Sequence, residues 1–240
     1  MKLSIVIPVY NEEKSAVEVI KKVDEVKIPD CEKEIIVIND GSSDKTGEII
    51  KNFLKKQKYK NVFFYEHKQN MGKGAAVRTG FEHATGDYIV IQDADTEYNP
   101  NDIPKLLEPI RKNEAKVVFG TRLNRLPHFL KEESNGLFLS HYFGNRFLSL
   151  ITSLLYFQWI TDMETCYKIF PKSAVNTMQL HARGFEFEPE ITAKLLKLGL
   201  KIKEIPITTK PRGYEEGKKL NAVKEGPVAL WTLLKYRFVN

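Results

Sequence analysis

The 240-residue chain is 42% apolar and carries 37 Lys and Arg against 31 Asp and Glu, for a formal net charge of +6 and a pI near 9.1. This supports a proper core in one large domain or two small ones and excludes disorder over most of the length. The basic surplus suits a nucleotide, an anionic lipid head group or nucleic acid, or only a solvated surface. Two cysteines, Cys31 and Cys166, exclude a disulfide framework and a Cys-x-x-Cys zinc site and fit a reducing interior.

The N-terminal apolar run is broken too soon, at Pro8, to be a signal peptide, so residues 3–7 are predicted as the first core strand. Further β-branched apolar runs at 35–38, 62–65, 88–91 and 117–119 alternate with helical periodicity at about 12–27, 44–57, 73–85 and 101–113. That alternation predicts βαβ units and a largely parallel sheet. Turn and cap chemistry marks the joints at Asn39-Asp-Gly-Ser-Ser-Asp44, Asn70-Met-Gly-Lys-Gly74 and Asn99-Pro-Asn-Asp102. After about residue 120 come a charged, Pro-containing loop, an uncharged run of fourteen residues from Phe147 to Ile160, and mixed elements through Thr209. The uncharged run falls short of the ~20 residues that span a bilayer. No flexible linker appears, so residues 1–240 are read as one domain.

Ligands of an open parallel sheet bind outside the carboxyl ends of its strands. Four segments fall on that edge: Pro8-Val-Tyr-Asn-Glu12, Asn39-Asp-Gly-Ser-Ser43, Gly72-Lys-Gly74 and Asp93-Ala-Asp95. Singly, Asp40-Gly41 is explained as a turn, Asp44 as a helix cap, and Gly72-Lys-Gly74 matches neither dinucleotide nor Walker pattern. The paired acids are harder to set aside. Carboxylates closing a buried strand repel each other, and a hard divalent cation relieves this by taking one or two of them together with substrate phosphates.

Ser4-Ile-Val-Ile-Pro-Val-Tyr-Asn-Glu12, Val37-Ile-Asn-Asp-Gly-Ser-Ser-Asp44, Asn70-Met-Gly-Lys-Gly-Ala-Ala-Val-Arg-Thr-Gly80 and Asp93-Ala-Asp95, in that order, resemble the family 2 glycosyltransferases of the GT-A fold. That fold is an α/β, Rossmann-like nucleotide-diphospho-sugar transferase architecture with a mostly parallel central sheet flanked by helices. The resemblance is nearest to the polyprenyl-phosphate, dolichol-phosphate mannose synthase-like branch. It is strong over residues 3–122 and looser to about 219. It implies that Pro8, Tyr10 and Glu12 pack against the donor base and ribose, that Asp40 recognises the base, and that Lys73 lies near the nucleotide. It further implies a divalent cation, Mg2+ or Mn2+, at Asp93, Asp95 and Glu97, with Asp95 the direct ligand and Asp93 nearer the ribose or sugar. Arg122 would meet the diphosphate or the acceptor phosphate. Loss of a nucleoside diphosphate from an anomeric carbon loads negative charge on the leaving group, which a metal and nearby cations stabilise. One in-line displacement with inversion is the expected course.

On the acceptor side, Thr161-Asp-Met-Glu-Thr-Cys-Tyr-Lys168 resembles the Asp-x-x-Ser/Thr-Gly-x-Arg/Lys segment of polyprenyl-phosphate transferases, departing from it at Cys166. Asp162 is the candidate general base or acceptor-orienting group, with helix capping as the structural alternative and Glu164 as a second carboxylate. A phosphate acceptor with its second pKa near ~6 needs little base. The apolar stretch 137–159, with Arg146 to meet an acceptor phosphate, reads either as a membrane-interface helix guiding an isoprenoid chain or as a core helix. The same choice holds for 227–239, mixed aromatic and cationic. The basic, glycine-bearing segment 210–219 resembles the mobile loop that closes over the diphosphate, with Arg212, Lys218 and Lys219 as phosphate contacts; an ordinary solvent loop is the alternative. The five histidines show no ligand spacing and are expected at the surface or in edge packing.

The leading expectation is an inverting, metal-dependent transferase moving a hexose from a nucleotide sugar of the GDP-mannose or UDP-glucose type to a polyprenyl or dolichyl phosphate. Residues 1–122 would bind the donor, 123–219 the acceptor, and 220–240 would form an amphipathic C-terminal helix. Having no spanning segment, the chain is expected to be cytoplasmic and peripheral on the cytoplasmic face of a membrane, or held there by a membrane-anchoring protein partner. The alternatives are a glycan or other hydroxyl acceptor, and a catalytically idle nucleotide-binding subunit. No nucleic-acid-recognition motif accompanies the charge, so no nucleic acid is expected as partner.

Overall fold

The computed structural model describes residues 1–123, 136–210 and 222–239. Strands β1 (Lys2–Val9), β2 (Glu32–Asn39), β3 (Val62–Glu66), β4 (Tyr88–Ile91) and β5 (Val117–Thr121) alternate with helices α1 (Ala16–Glu25), α2 (Thr46–Gln57), α3 (Lys73–His83) and α4 (Ile103–Arg111). Then follow α5 (Gly136–Tyr156), β6 (Lys168–Pro171), α6 (Lys172–Thr177), α7 (Phe187–Lys197), β7 (Ile202–Pro206) and α8 (Ala222–Phe238). The seven strands form one sheet in the order β3-β2-β1-β4-β6-β5-β7. β1, β2 and β4 read as unbroken apolar runs because helices cover both faces of the sheet, and Ile5, Val6, Ile7, Ile35, Val37, Ile38, Val90 and Ile91 are all buried in it.

All pairings are parallel except those of β6, which runs antiparallel to β4 and to β5. This one reversal matters for the site. With Lys168 opposite Phe119 and Pro171 opposite Tyr88, β6 begins at the carboxyl ends of its neighbours and delivers residues 161–168 to the edge that already carries the loops after β1, β2 and β4. The order also changes direction between β1 and β4, the switch point at which such sheets open a crevice.

The opposite edge is built for stability. Glu34 on β2 accepts hydrogen bonds from Ser4 Oγ (2.6 Å), Thr85 N (2.6 Å) and Thr85 Oγ1 (2.7 Å) and pairs with Lys2 at 2.8 Å, while Ser4 Oγ also accepts from Gly86 N. These contacts tie β1 and β2 to the turn that enters β4. Burial pushes the Glu34 carboxyl up, but its donors outweigh burial and bring it down to about 2. A carboxyl depressed on folding stabilises the native state above its ordinary pKa, and that contribution is lost as pH falls from there through the folded value. Glu34→Gln should therefore cost on the order of 3 kcal/mol in urea unfolding at pH 7, and the deficit should shrink as pH is lowered from 4.5 to 2. A constant deficit across that range would show that the carboxylate's charge is not what the network uses.

Candidate active site

The loop after β1 and the loop after β2 are stitched to each other. Asn11 N donates to Ser42 Oγ and Ser43 N to Asn11 Oδ1, both at 2.9 Å, and Glu12 N donates to Thr46 Oγ1, also at 2.9 Å. Asn11 reaches this position with φ of 49°, a left-handed conformation that Asn tolerates. Glu12 Oε2 accepts from Ser15 Oγ at the start of α1, so Pro8, Tyr10 and Glu12 stand half-buried on a braced turn.

Asp40, almost wholly buried, fixes the next loop. Its carboxylate accepts from Met71 N (3.0 Å) and Gly72 N (2.8 Å) and meets His67 Nδ1 at 2.6 Å, with His67 Nε2 2.9 Å from Thr79 Oγ1. Glycine is required on both sides of this clasp. Gly41 has φ of 63° and Gly72 has φ of 95°, and a Cβ on either would sit 2.3 Å from backbone, of Gln69 and Arg183 respectively. His67 is thus part of the site's scaffold, not the surface or edge histidine expected from its lack of ligand spacing. Its role comes from one carboxylate beside it in space.

The clasp delivers Lys73, first residue of α3, into a cluster of charges. Lys73 Nζ lies 2.8 Å from Asp93 Oδ1 and 3.4 Å from Glu188 Oε1 on α7, and the other oxygen of Glu188 pairs with the buried Lys168. Burial alone would push the Asp93 carboxyl up, but the Lys73 ammonium outweighs it and holds Asp93 below the usual carboxylate range. Against burial, Asp93 holds Lys73 well above its ordinary value. Cys166, at the position where the resembling segment carries Gly, fits this setting. Its N–H donates to Tyr98 Oη at 3.0 Å, and its thiol, beside Asp93, is raised by burial and by that carboxylate.

The acceptor-side candidates also converge. Asp162 is 0% exposed and accepts from Arg122 Nε, Nη2 and backbone N, each at 2.8 Å. This bidentate pair aims the half-buried guanidinium across the Tyr98 ring, 5.8 Å from its centroid. Asp162 caps no helix, and both its oxygens are committed to Arg122, which favours orientation over proton abstraction. Arg146 on α5 donates to Leu123 O at 3.3 Å, next to Arg122. Arg212, Lys218 and Lys219 lie outside the described residues. Just before them, Lys210 N donates to Glu97 O at 3.0 Å and Thr209 bridges Tyr98.

For a divalent cation, the donor set is Asp93, Asp95 and Glu97 on one loop. Asp95 Oδ1 accepts from Glu97 N at 3.1 Å, and no group of three or more His, Cys, Asp or Glu side chains is gathered for a metal among the described residues. Lys73 already sets a cation against Asp93. The arrangement fits a hard ion held by Asp95 with phosphate oxygens of a substrate, as Mg2+ is usually held, and not an all-protein cage. Sequence reasoning missed Glu188, Lys168 and Tyr98 as members of the site. Glu188 opens α7 in an acidic, aromatic stretch that reads as an ordinary helix start, and only the packing of α7 beside α3 brings it to Lys73.

The sequence model of glycosyl transferase family 2 matches residues 4–178. Dolichyl-phosphate beta-glucosyltransferase ALG5A of Trichomonas vaginalis is 32% identical over 218 residues, which cover 85% of this chain but only 64% of that protein. The UDP-N-acetylglucosamine–dolichyl-phosphate N-acetylglucosaminyltransferase of Methanococcus voltae is 31% identical over 234 residues, 91% of this chain and 90% of that one. Among solved structures, glucosyl-3-phosphoglycerate synthase of Mycobacterium tuberculosis, in complex with Mn2+, uridine diphosphate and glucosyl-3-phosphoglycerate, matches with a TM-score of 0.72. It is 17% identical, with 100% of this chain and 81% of that one covered. That likeness establishes the fold, and the family match establishes the kind of chemistry: the chain belongs to glycosyl transferase family 2 and is a glycosyltransferase of the GT-A fold.

Proposed function

We propose that this enzyme transfers a hexose, with inversion, from a nucleotide sugar to a polyprenyl phosphate at the cytoplasmic face of a membrane. The observation that carries the acceptor class is the Arg122–Asp162 pair with Arg146 beside it. A fixed guanidinium and a second cation suit a phosphate, and the carboxylate that a hydroxyl acceptor would need as base is consumed in holding Arg122. The two relatives named for dolichyl phosphate point the same way. Residues 1–122 would seat the donor, with Pro8, Tyr10 and Glu12 along base and ribose, Asp40 shaping that pocket through the Met71–Gly72 turn, and Asp93 and Lys73 near the ribose and sugar. Asp95 would hold Mg2+ or Mn2+, which supplies charge neutralisation to the departing diphosphate. Arg122 would orient the acceptor phosphate for attack on the anomeric carbon, and the bond to the diphosphate breaks as the new C–O bond forms.

A membrane surface is supported by α5 and α8, joined by a 2.9 Å hydrogen bond from Tyr156 Oη to Leu233 O. Phe143, Phe147, Leu150, Leu154 and Phe157 recur at helical spacing and are all exposed, as are Trp159 and, on α8, Val228, Trp231 and Phe238. Lys235 and Arg237 lie in the last turn of α8, the latter over the Phe157 ring. No helix among the described residues is long and apolar enough to cross a membrane, so binding would be interfacial.

Incubation with GDP-mannose, UDP-glucose or UDP-N-acetylglucosamine, Mg2+ or Mn2+, and a short-chain prenyl phosphate should give metal-dependent, lipid-dependent transfer from one donor. Transfer only to free sugars or glycans would replace this reading with the hydroxyl-acceptor one, and tight nucleotide binding without turnover in any mixture would favour an idle subunit. Asp162→Asn should lower kcat/KM for the prenyl phosphate roughly 10- to 100-fold, mainly through KM and without moving the pH profile, and should not add fully to Arg122→Ala. A lost or displaced acidic limb in Asp162→Asn would restore Asp162 as the base. In calorimetry, Asp95→Asn should weaken UDP or GDP binding at least about tenfold in the presence of Mn2+ and leave metal-free binding unchanged. Trp231→Ser with Phe157→Ser should reduce sedimentation with phosphatidylglycerol vesicles several-fold at constant fold. Equal sedimentation would place the aromatic stripe in some other contact.

A further inference from the structure

Glu164, two residues beyond Asp162, is used by none of the steps above, yet its surroundings are unusual. Its Oε1 is buried and accepts no hydrogen bond, as is true of Thr165 Oγ1 next to it in the chain, whereas Glu188 Oε1, also without a hydrogen bond, keeps its 3.4 Å ion pair with Lys73. The groups whose charges act on Glu164 are Lys168 at the start of β6, Glu188 on α7, Arg122 after β5 and Asp162 on its own loop. Each of the two cations already has its own carboxylate, Lys168 with Glu188 and Arg122 with Asp162. Those two pairs balance, so of these five groups Glu164 is the one carboxylate not matched by a cation of its own. Formally the cluster is neutral when Glu164 is protonated and carries an excess negative charge when it is not. An ionised, uncompensated carboxylate here would also repel the phosphates that the site is proposed to receive.

We propose that Glu164 holds its proton in the resting enzyme and meets the phosphates entering beside Arg122 as a neutral carboxyl that donates a hydrogen bond, a role that rests on the polyprenyl-phosphate reading. Burial, assisted by Glu188 and Asp162 and opposed by Lys168 and Arg122, pushes this carboxyl up to about 7, consistent with the charge count. A carboxyl kept neutral by its site so that it can donate is a recognised catalytic device. Glu164 is then neither a base nor a metal ligand, and its ionisation at higher pH switches the acceptor site from donor to repeller.

The test compares wild type with Glu164→Gln, which keeps the shape and a donor but cannot ionise. In pH profiles of kcat/KM for a short-chain prenyl phosphate, wild type should fall above about pH 7 with loss of one proton. Glu164→Gln should keep at least about half the wild-type value at pH 6.5 and lack that fall. A loss of tenfold or more in Glu164→Gln at pH 6.5, with the protein folded, would make Glu164 a base and overturn the proposal. A second readout does not need turnover. A carboxyl whose pKa is raised on folding stabilises the native state fully below its ordinary value, and this is lost as pH rises through the folded value. The melting temperature of wild type relative to Glu164→Gln should therefore decline between pH 5 and pH 8. Parallel curves would show an ordinary carboxylate and overturn the proposal whatever the acceptor. Absence of transfer to prenyl phosphate by the wild type itself would instead refute the functional reading, leaving the melting curves to decide the protonation of Glu164.

Discussion

A carboxylate at the end of a buried strand must find a counter-charge, and the Lys73 ammonium between Asp93 and Glu188 meets that constraint here. Much of the site follows from it. Lys73 opens α3, where the helix dipole disfavours a cation, so its position is held by the two acids and not by the helix. Glu188 lies in the first turn of α7, where the dipole favours it, and carries the charge on to Lys168. The Asp40 clasp on Met71 and Gly72 fixes where α3 begins, and thereby where the ammonium lies. Removing one member of such a chain leaves its neighbour buried and unpaired, which costs far more than the pair contributes while intact.

The sheet separates stability from chemistry by edge. At its amino end, Glu34 closes a network satisfied by four donors that join β1, β2 and the entry to β4. At its carboxyl end buried side-chain atoms are left without hydrogen bonds, at Glu164 and Thr165. Unmet hydrogen-bonding capacity is expensive in a fold and useful where a polar ligand arrives. The antiparallel β6 makes this concentration possible, because it turns the 161–168 segment toward the loops that follow β1, β2 and β4.

The first half of the chain was legible from sequence because its signals are local. Apolar β-branched runs give strands wherever a sheet is covered on both faces, and the predicted strands at 3–7, 35–38, 62–65, 88–91 and 117–119 lie inside β1 to β5. Helices α1 to α4 fall within their predicted spans, each somewhat shorter, since cap residues carry the pattern beyond the hydrogen-bonded turns. β6 and β7 went unresolved, being short strands whose partners are set by topology and not by pattern. The same reason hid Glu188 and His67. Each acquires its role from a single partner far along the chain, and neither shows a spacing. Asp162 was legible as a site residue, but its work was not, because only the paired 2.8 Å contacts to Arg122 distinguish an anchored carboxylate from a poised one.

The proposed lipid acceptor finds its support in α5. The helix that exposes Phe143, Phe147, Leu150 and Leu154 also carries Arg146, whose guanidinium reaches Leu123 O beside Arg122. Apolar exposure and a cation that reaches Arg122's neighbour are thus mounted on one rigid element. A lipid phosphate presents both needs at once, a chain that must stay out of water and a head that must be held against cations. A soluble sugar presents neither, and an enzyme for it would gain nothing from Phe157, just past the end of α5, at 85% exposure and Trp231, on the adjoining α8, at 66%. Because α5 packs on α8 through Tyr156, the apolar stripes of both helices would enter an interface together, and the distance from that interface to Arg122 would be fixed by the helix and not by a loop. Such a fixed depth would let the site select an acceptor whose phosphate sits at the membrane surface, before any contact with its chain has been made.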